Sequence, residues 1–68
     1  MKPDPSKHRP KDPDYIRELL AKARLSQREA ARRLGVSDRT VRHWCAGTFE
    51  IPYTAQYTLE CIAEENSK

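Results

Sequence analysis

The chain has 68 residues, which is enough for one small domain with a thin hydrophobic core. Charged residues make up 34% of it and aromatic residues 7%, with a formal net charge of +3, and this composition favours a small helical domain over a sheet. No apolar run approaches the roughly 20 residues that span a bilayer, and the N-terminal segment lacks the apolar stretch of a secretion signal. We therefore expect a cytoplasmic protein with no membrane partner.

Positive charge is concentrated in the first two-thirds of the chain. Residues 1–12 carry a net charge of +2, residues 13–47 of +4 and residues 48–68 of −3. A basic surface attracts polyanions such as nucleic acids. Because arginine is also a good helix former, a solvated helix surface would explain the same pattern, and charge alone leaves both interpretations open.

The sequence shows no set of residues that would support catalysis or hold a metal ion. Cys45 and Cys61 are its two cysteines, their spacing fits no zinc framework, and a cytosolic chain keeps such thiols reduced. No nucleophile–base pair and no phosphate-binding loop is visible. We therefore expect no enzymatic activity, no cofactor and no small-molecule ligand.

The N-terminal residues 1–12 contain three prolines among basic residues and no apolar periodicity, which is typical of a disordered or extended arm. Asp12 as a cap and Pro13 at the first helical position then predict the start of a first helix. Apolar residues three and four positions apart predict its buried stripe, which ends near Arg24: Ile16, Leu19, Leu20 and Ala23.

Two short helices around one tight turn are predicted between residues 25 and 47. Ser26 and Glu29 have the spacing of a capping box, which begins the second helix, and Gly35 allows the left-handed backbone that ends it. Ser37 caps the third helix and Gly47 ends it. The residues expected to face inward are Leu25, Ala30, Ala31, Leu34, Val36, Val41 and Trp44. This is the arrangement of a helix-turn-helix.

A fourth helix is predicted after a loop that Pro52 closes, from Tyr53 to about Glu64. Its inward residues are Ala55, Leu59, Ile62 and Ala63, with Tyr57 and Cys61 half exposed beside them. Residues 65–68 are expected to fray, so the folded domain is predicted over residues 13–64.

With four helices in this order, the chain resembles the phage Cro and repressor (Xre-like) family of helix-turn-helix DNA-binding proteins over about three-quarters of its length. The residues that carry the resemblance are Leu25, Ser26, Gln27, Ala31, Gly35, Val36, Ser37, Val41, Trp44, Gly47 and Pro52. The resemblance implies an all-α, four-helix domain of the lambda-repressor-like type with a disordered N-terminal arm, from a phage or prophage.

The resemblance also implies a function and a binding site. The function is sequence-specific binding of double-stranded operator DNA by a transcriptional regulator, a Cro-type repressor, with the helix from about Asp38 to Ala46 in the major groove. Positions that face base edges, or lie beside them, are Ser37, Asp38, Arg39, Arg42 and His43. Positions that contact phosphates are Gln27, Arg28, Thr48 and Tyr53. A homodimer, at least on DNA, is left open.

The loop after Gly47 and the N-terminal arm leave alternatives open. The loop after Gly47 is often basic in this family, yet here it contains Phe49 and Glu50, and Glu50 would repel a phosphate. A protein-interaction module on the same fold, antitoxin-like or a phage accessory protein, would use an exposed patch formed by Phe49, Ile51, Tyr53 and Tyr57. A MerR- or excisionase-like DNA binder would need a β-wing. The arm is either a DNA-contacting segment or an inert leader.

Overall fold

The computed structural model describes residues 3–66, and four α-helices with short connections account for most of them. The helices are α1 (Pro13–Ala23), α2 (Gln27–Leu34), α3 (Asp38–Ala46) and α4 (Tyr53–Asn66). Residues 3–66 contain no β-strand, and the all-α fold class with four helices in the predicted order is confirmed. The long helix α4 packs mainly against α1, whereas α2 packs mainly against α3.

Side chains at the predicted caps begin α1 and α2. The Asp12 carboxylate accepts a hydrogen bond from the backbone N–H of Tyr15 at 3.1 Å. Ser26 and Glu29 form the predicted capping box, since the side chain of each accepts from the backbone N–H of the other. These bonds satisfy N–H groups that the first turn of a helix leaves free, so the local sequence sets where each helix begins.

Residues in the left-handed conformation end the first three helices. Gly35 (φ of 72°) follows α2 and Gly47 (φ of 77°) follows α3, as their positions in the sequence predict. Arg24 (φ of 57°) ends α1 in the same conformation, although a side chain disfavours it. The N–H of Leu25 then donates to the carbonyl of Leu20 at 3.0 Å, which satisfies a carbonyl in the last turn of α1.

The core combines side chains from all four helices with one loop residue. Its buried members are Ile16, Leu19, Leu20, Ala23, Ala30, Ala31, Val41, Trp44, Cys45, Ile51, Ala55, Leu59 and Ala63. Ala30 and Ala31, both predicted to face inward, are buried, and their short side chains let α2 lie close to its neighbours. Leu25, Leu34 and Ile62, also predicted to face inward, pack against this core and are partly buried.

Two sequence-based placements are wrong. Val36 was expected in the core with Trp44, but 36% of its surface is exposed because it lies in the turn before α3 begins. Ile51 was expected on an exposed patch, but only 1% of its surface is exposed. Its backbone N–H donates to the carbonyl of Pro10 at 2.9 Å, which ties this loop to the arm while the Ile51 side chain lies in the core.

The helix α4 continues two residues past its predicted end at Glu64. The side-chain amide of Asn66 donates to the carbonyl of Ile62 at 3.0 Å and to the carbonyl of Ala23, at the end of α1, at 3.1 Å. This link to α1 supports the last turn, so residues 65 and 66 are helical where fraying was expected. Residues 67 and 68, for which fraying was also expected, lie outside the described residues.

The terminal arm is confirmed as a segment outside the four helices, with residues 1 and 2 outside the described part. Its described residues include one turn of 3-10 helix, Pro5–Lys7. The structure adds contacts that the sequence did not predict. His8 Nε2 donates to the carbonyl of Ile51 at 2.7 Å, and the fully buried side chain of Gln56 forms hydrogen bonds with the backbone of the arm.

Candidate nucleic-acid interface

The helix α3 has one face anchored in the domain and one face open to solvent. Val41, Trp44 and Cys45 are buried and attach the helix to the core. Arg39 and Arg42 are exposed on the remaining surface. The apolar spacing of α3 thus places its two arginines where a ligand could reach them, on a helix that packing keeps in position.

Two of the predicted base-facing residues lie at the start of α3, and both are exposed. The Ser37 hydroxyl accepts from the N–H of Thr40 at 3.2 Å and lies 2.9 Å from the Thr40 hydroxyl, so it caps the helix. Asp38 occupies the first turn, where the helix dipole favours a negative charge. Both residues therefore stabilise the helix start, whatever else they contact.

The arginines of the helix-turn-helix have no ion-pair partner among residues 3–66. Residues 26–47 contain five arginines and two acidic residues. The ion pairs of the described chain lie in the arm and α1: Arg9 with Asp12, Arg17 with Asp14, and Lys22 with Glu18. In contrast, α4 carries three glutamates and no basic residue. This separation of charge favours the approach of a polyanion to α2 and α3 rather than to α4.

The loop after α3 folds back over the end of the helix. The N–H of Thr48 donates to the carbonyl of His43 at 2.9 Å. The Phe49 ring packs on the imidazole of His43, with ring centroids 4.4 Å apart and planes inclined by 42°. His43 is half-buried, and Thr48 and Phe49 are exposed. The loop therefore lies beside the exposed face of α3 and extends it.

The first residue of α2 lies near α3. Gln27 is exposed at this position. Burial raises the pKa of the Cys45 thiol, while the charge of Arg17 and the Gln27 side chain act in the opposite direction. Arg28, the next predicted phosphate contact, is exposed beside Gln27. Both lie in the first turn of α2, whose free N–H groups and dipole favour an anion.

Tyr53, the remaining predicted phosphate contact, is half-buried at the start of α4. Its hydroxyl oxygen accepts a hydrogen bond from the backbone N–H of Asp4, and the His8 ring approaches it edge-on with centroids 5.7 Å apart. The arm therefore fixes the phenol. Because the oxygen acts as the acceptor in this bond, the hydroxyl proton remains available for donation to another acceptor.

A family model described as Helix-turn-helix matches residues 16–54, which is more than half of the chain. The matched span includes α2, α3 and every side chain predicted to contact bases or phosphates. The chain belongs to the Cro and repressor (Xre-like) helix-turn-helix family. No curated protein matches it. The family is a non-enzymatic DNA-binding domain, and this Xre-like chain is a helix-turn-helix regulator that binds double-stranded DNA.

The alternatives raised by the sequence fit this Xre-like domain less well. Residues 3–66 contain no strand pair that could form the β-wing of a MerR- or excisionase-like protein. The exposed patch expected for a protein-interaction module is broken, because Ile51 lies in the core and Tyr53 is half-buried. Phe49 remains exposed, but it lies beside α3.

Within residues 3–66 of this Xre-like domain, no group of three or more His, Cys, Asp or Glu side chains could hold a metal ion. Both cysteines are free. None of the described helices combines the length and the apolar character needed to cross a bilayer.

Two features that support this surface were not predicted from the sequence. Gln56 was not recognised as buried, although a polar residue next to Ala55 and three positions before Leu59, in an apolar stripe, was a visible signal. The packing of Phe49 on His43 had no such signal, because it depends on the path of a loop.

Proposed function

We propose that the protein is a sequence-specific transcriptional repressor of the Cro type, which places α3 in the major groove of an operator and thereby blocks a promoter. The observation that carries the proposal is the exposure of Arg39 and Arg42 on a helix that is fixed in the core. Both are exposed, have no ion-pair partner among residues 3–66, and project from a helix that Val41 and Trp44 hold in the core.

The proposed base contacts follow from hydrogen-bond chemistry. The Arg39 guanidinium would bond O6 and N7 of a guanine, and the Asp38 carboxylate would accept from N4 of a cytosine. His43 lies one helical turn after Arg39, so it would contact a neighbouring base pair. Each good pair of this kind discriminates against a wrong base by about 1–3 kcal/mol.

The proposed phosphate contacts lie on either side of the base-contacting residues of α3. Gln27 and Arg28 would bind a phosphate at the start of α2, where the dipole adds to the attraction. Thr48 and Tyr53 would bind a second phosphate on the other side of α3. Such contacts position the domain without reading sequence, and they make affinity fall steeply as salt rises.

We propose a two-fold homodimer on the operator, since one domain of this size makes few contacts by itself. Two copies of α3 would occupy half-sites about one helical turn apart, and the operator would then have two-fold symmetry. Light scattering with and without the selected duplex tests this. A complex containing one copy per symmetric site would contradict it.

The DNA-binding specificity is tested by selecting duplexes from a random pool at moderate salt and sequencing them. The wild type is expected to enrich one motif, and the variant Arg39→Ala with Arg42→Ala is expected to enrich none. The matched control is Arg32→Ala with Arg33→Ala, which removes the same charge from exposed positions of α2. It should bind more weakly but keep the motif. Failure of the wild type to enrich any motif would reject the proposal.

Repression is tested with the selected operator placed across the promoter of a reporter gene. Expression is expected to fall when the protein is produced and to stay unchanged with the double arginine variant. A rise in expression would identify an activator and would contradict the repressor part of the proposal.

A further inference from the structure

Phe49 is the most exposed large apolar side chain of residues 3–66, with 54% of its surface accessible. Exposure of a phenyl ring to water is unfavourable, and the domain does not bury it although it has a core nearby. The surface it occupies belongs to the nucleic-acid interface described above, because the ring packs on His43 of α3.

The backbone fixes the position of this ring relative to α3. The carbonyl of His43 accepts from the N–H of Thr48 at 2.9 Å and from the N–H of Phe49 at 3.5 Å. The imidazole then supports one face of the phenyl ring at a centroid distance of 4.4 Å. Phe49 therefore extends the row formed by Arg39 and His43, one turn apart on the open side of α3.

The chemistry of this ring limits what it could contact on DNA. A phenyl group has no hydrogen-bond donor for a phosphate, and the adjacent Glu50 would repel one. In the major groove, the apolar group available to it is the 5-methyl of thymine. The position of this methyl group distinguishes one of the four base-pair arrangements from the other three. A ring held at the groove-facing surface is suited to that methyl group.

We propose that Phe49, supported by His43, contacts the 5-methyl group of a thymine in each operator half-site and so determines specificity at that base pair. The inference rests on the proposed function. It adds a loop residue to the positions of α3 that are proposed to recognise the base sequence.

The test replaces thymines of the selected operator by deoxyuridine, one position at a time, which removes the methyl group and leaves base pairing unchanged. For the wild type, one thymine per half-site is expected to lose about fourfold in affinity when its methyl is absent, as the loss of one buried methyl group predicts. Phe49→Ala is expected to bind the thymine duplex and the corresponding deoxyuridine duplex with equal affinity. Phe49→Leu, which keeps an apolar side chain, is expected to retain part of the difference.

The matched control is Val36→Ala, which shortens the other exposed large apolar side chain and should leave the methyl effect as in the wild type. Thermal unfolding verifies that each variant is folded. If the wild type binds a selected operator but no methyl effect depends on Phe49, this inference is overturned and the proposed function stands. If Phe49→Ala abolishes self-association and weakens all duplexes equally, Phe49 is a protein contact and the inference is also overturned. If no duplex is enriched at all, the proposed function itself fails.

Discussion

The side-chain oxygen of Gln56 accepts a hydrogen bond from the backbone N–H of Arg9 at 2.8 Å, although the two residues are 47 positions apart. The amide nitrogen of Gln56 donates to the carbonyl of Lys7 at 3.0 Å and to the Glu60 carboxylate at 3.2 Å. One fully buried side chain thus joins the arm to α4. The arm in turn positions Tyr53, so the same contact supports a residue that we propose to bind a DNA phosphate.

Replacement of Gln56 by Met, which keeps the side-chain length but removes the amide, is expected to lower the free energy of unfolding by about 1–3 kcal/mol, because the arm loses two hydrogen bonds that contribute about 0.5–1.5 kcal/mol each. Urea denaturation measures this. Hydrogen exchange gives a second readout, since the amide of Arg9 should lose its protection. Thr54→Ala, at an exposed position of the same helix, should change stability by less than about 0.5 kcal/mol. Equal stability of both variants would show that the arm contact contributes nothing.

The two glycines that end α2 and α3 are expected to differ in their tolerance of alanine. Both have positive φ values, so each substitution costs about 1–2 kcal/mol in backbone strain. A Cβ at Gly35 would meet nothing within 4 Å, whereas a Cβ at Gly47 would lie 3.3 Å from Cγ of Pro13. Gly47→Ala should therefore lower the melting temperature more than Gly35→Ala. The reverse order would contradict the close approach of α1 to the end of α3.

Arginines of α2 and α3 are expected to contribute to DNA binding in different ways. Arg39→Ala should relax the preference at one base pair of the operator, at a cost of about 1–3 kcal/mol for the preferred sequence. Arg28→Ala removes the same charge from a predicted phosphate contact, so it should weaken all sequences alike and reduce the slope of log affinity against log salt by about 1. Binding titrations on matched and mismatched duplexes at several salt concentrations measure both effects. Identical behaviour of the two variants would reject this division of roles.

Tyr15 is expected to make the stability of the domain depend on pH in the alkaline range. Burial raises its pKa from 10.0 to about 12, and the hydrogen bond and charge of the Glu60 carboxylate act in the same direction. Between these values the unfolded chain loses the phenolic proton and the folded chain keeps it, so this contribution to stability is complete below pH 10 and is lost as the pH rises towards 12.

The comparison protein for this effect is Tyr15→Phe, which keeps the ring under the Arg9 guanidinium but has no ionisable proton. It should be less stable than the wild type below pH 10, and the difference should shrink towards pH 12. Urea denaturation across this range measures both curves. A constant difference would mean that Tyr15 titrates identically in the folded and unfolded chains.

Local signals predicted most of the helix ends correctly. The Ser26–Glu29 capping box and the stop at Gly35 act within a few residues, so their pattern specifies a helix end wherever the segment lies. The end of α4 was predicted two residues too early. The bond that supports its last turn runs from Asn66 to the carbonyl of Ala23 in α1, so no local pattern reveals it. The predicted contacts with bases and phosphates stay predictions, and their residues lie in α2, in α3 and its cap, in the following loop and at the start of α4.

By itself, the sequence determined four helices, a helix-turn-helix between residues 25 and 47, and the side of α3 that faces away from the core. Caps, glycines and apolar spacing operate over one or two turns, and they are visible in a linear pattern. Only the tertiary structure decided that the arm lies on α4, that Ile51 is buried and that Phe49 packs on His43. These features depend on the paths of loops and on hydrogen bonds between distant residues such as Gln56 and Arg9, which no local pattern specifies.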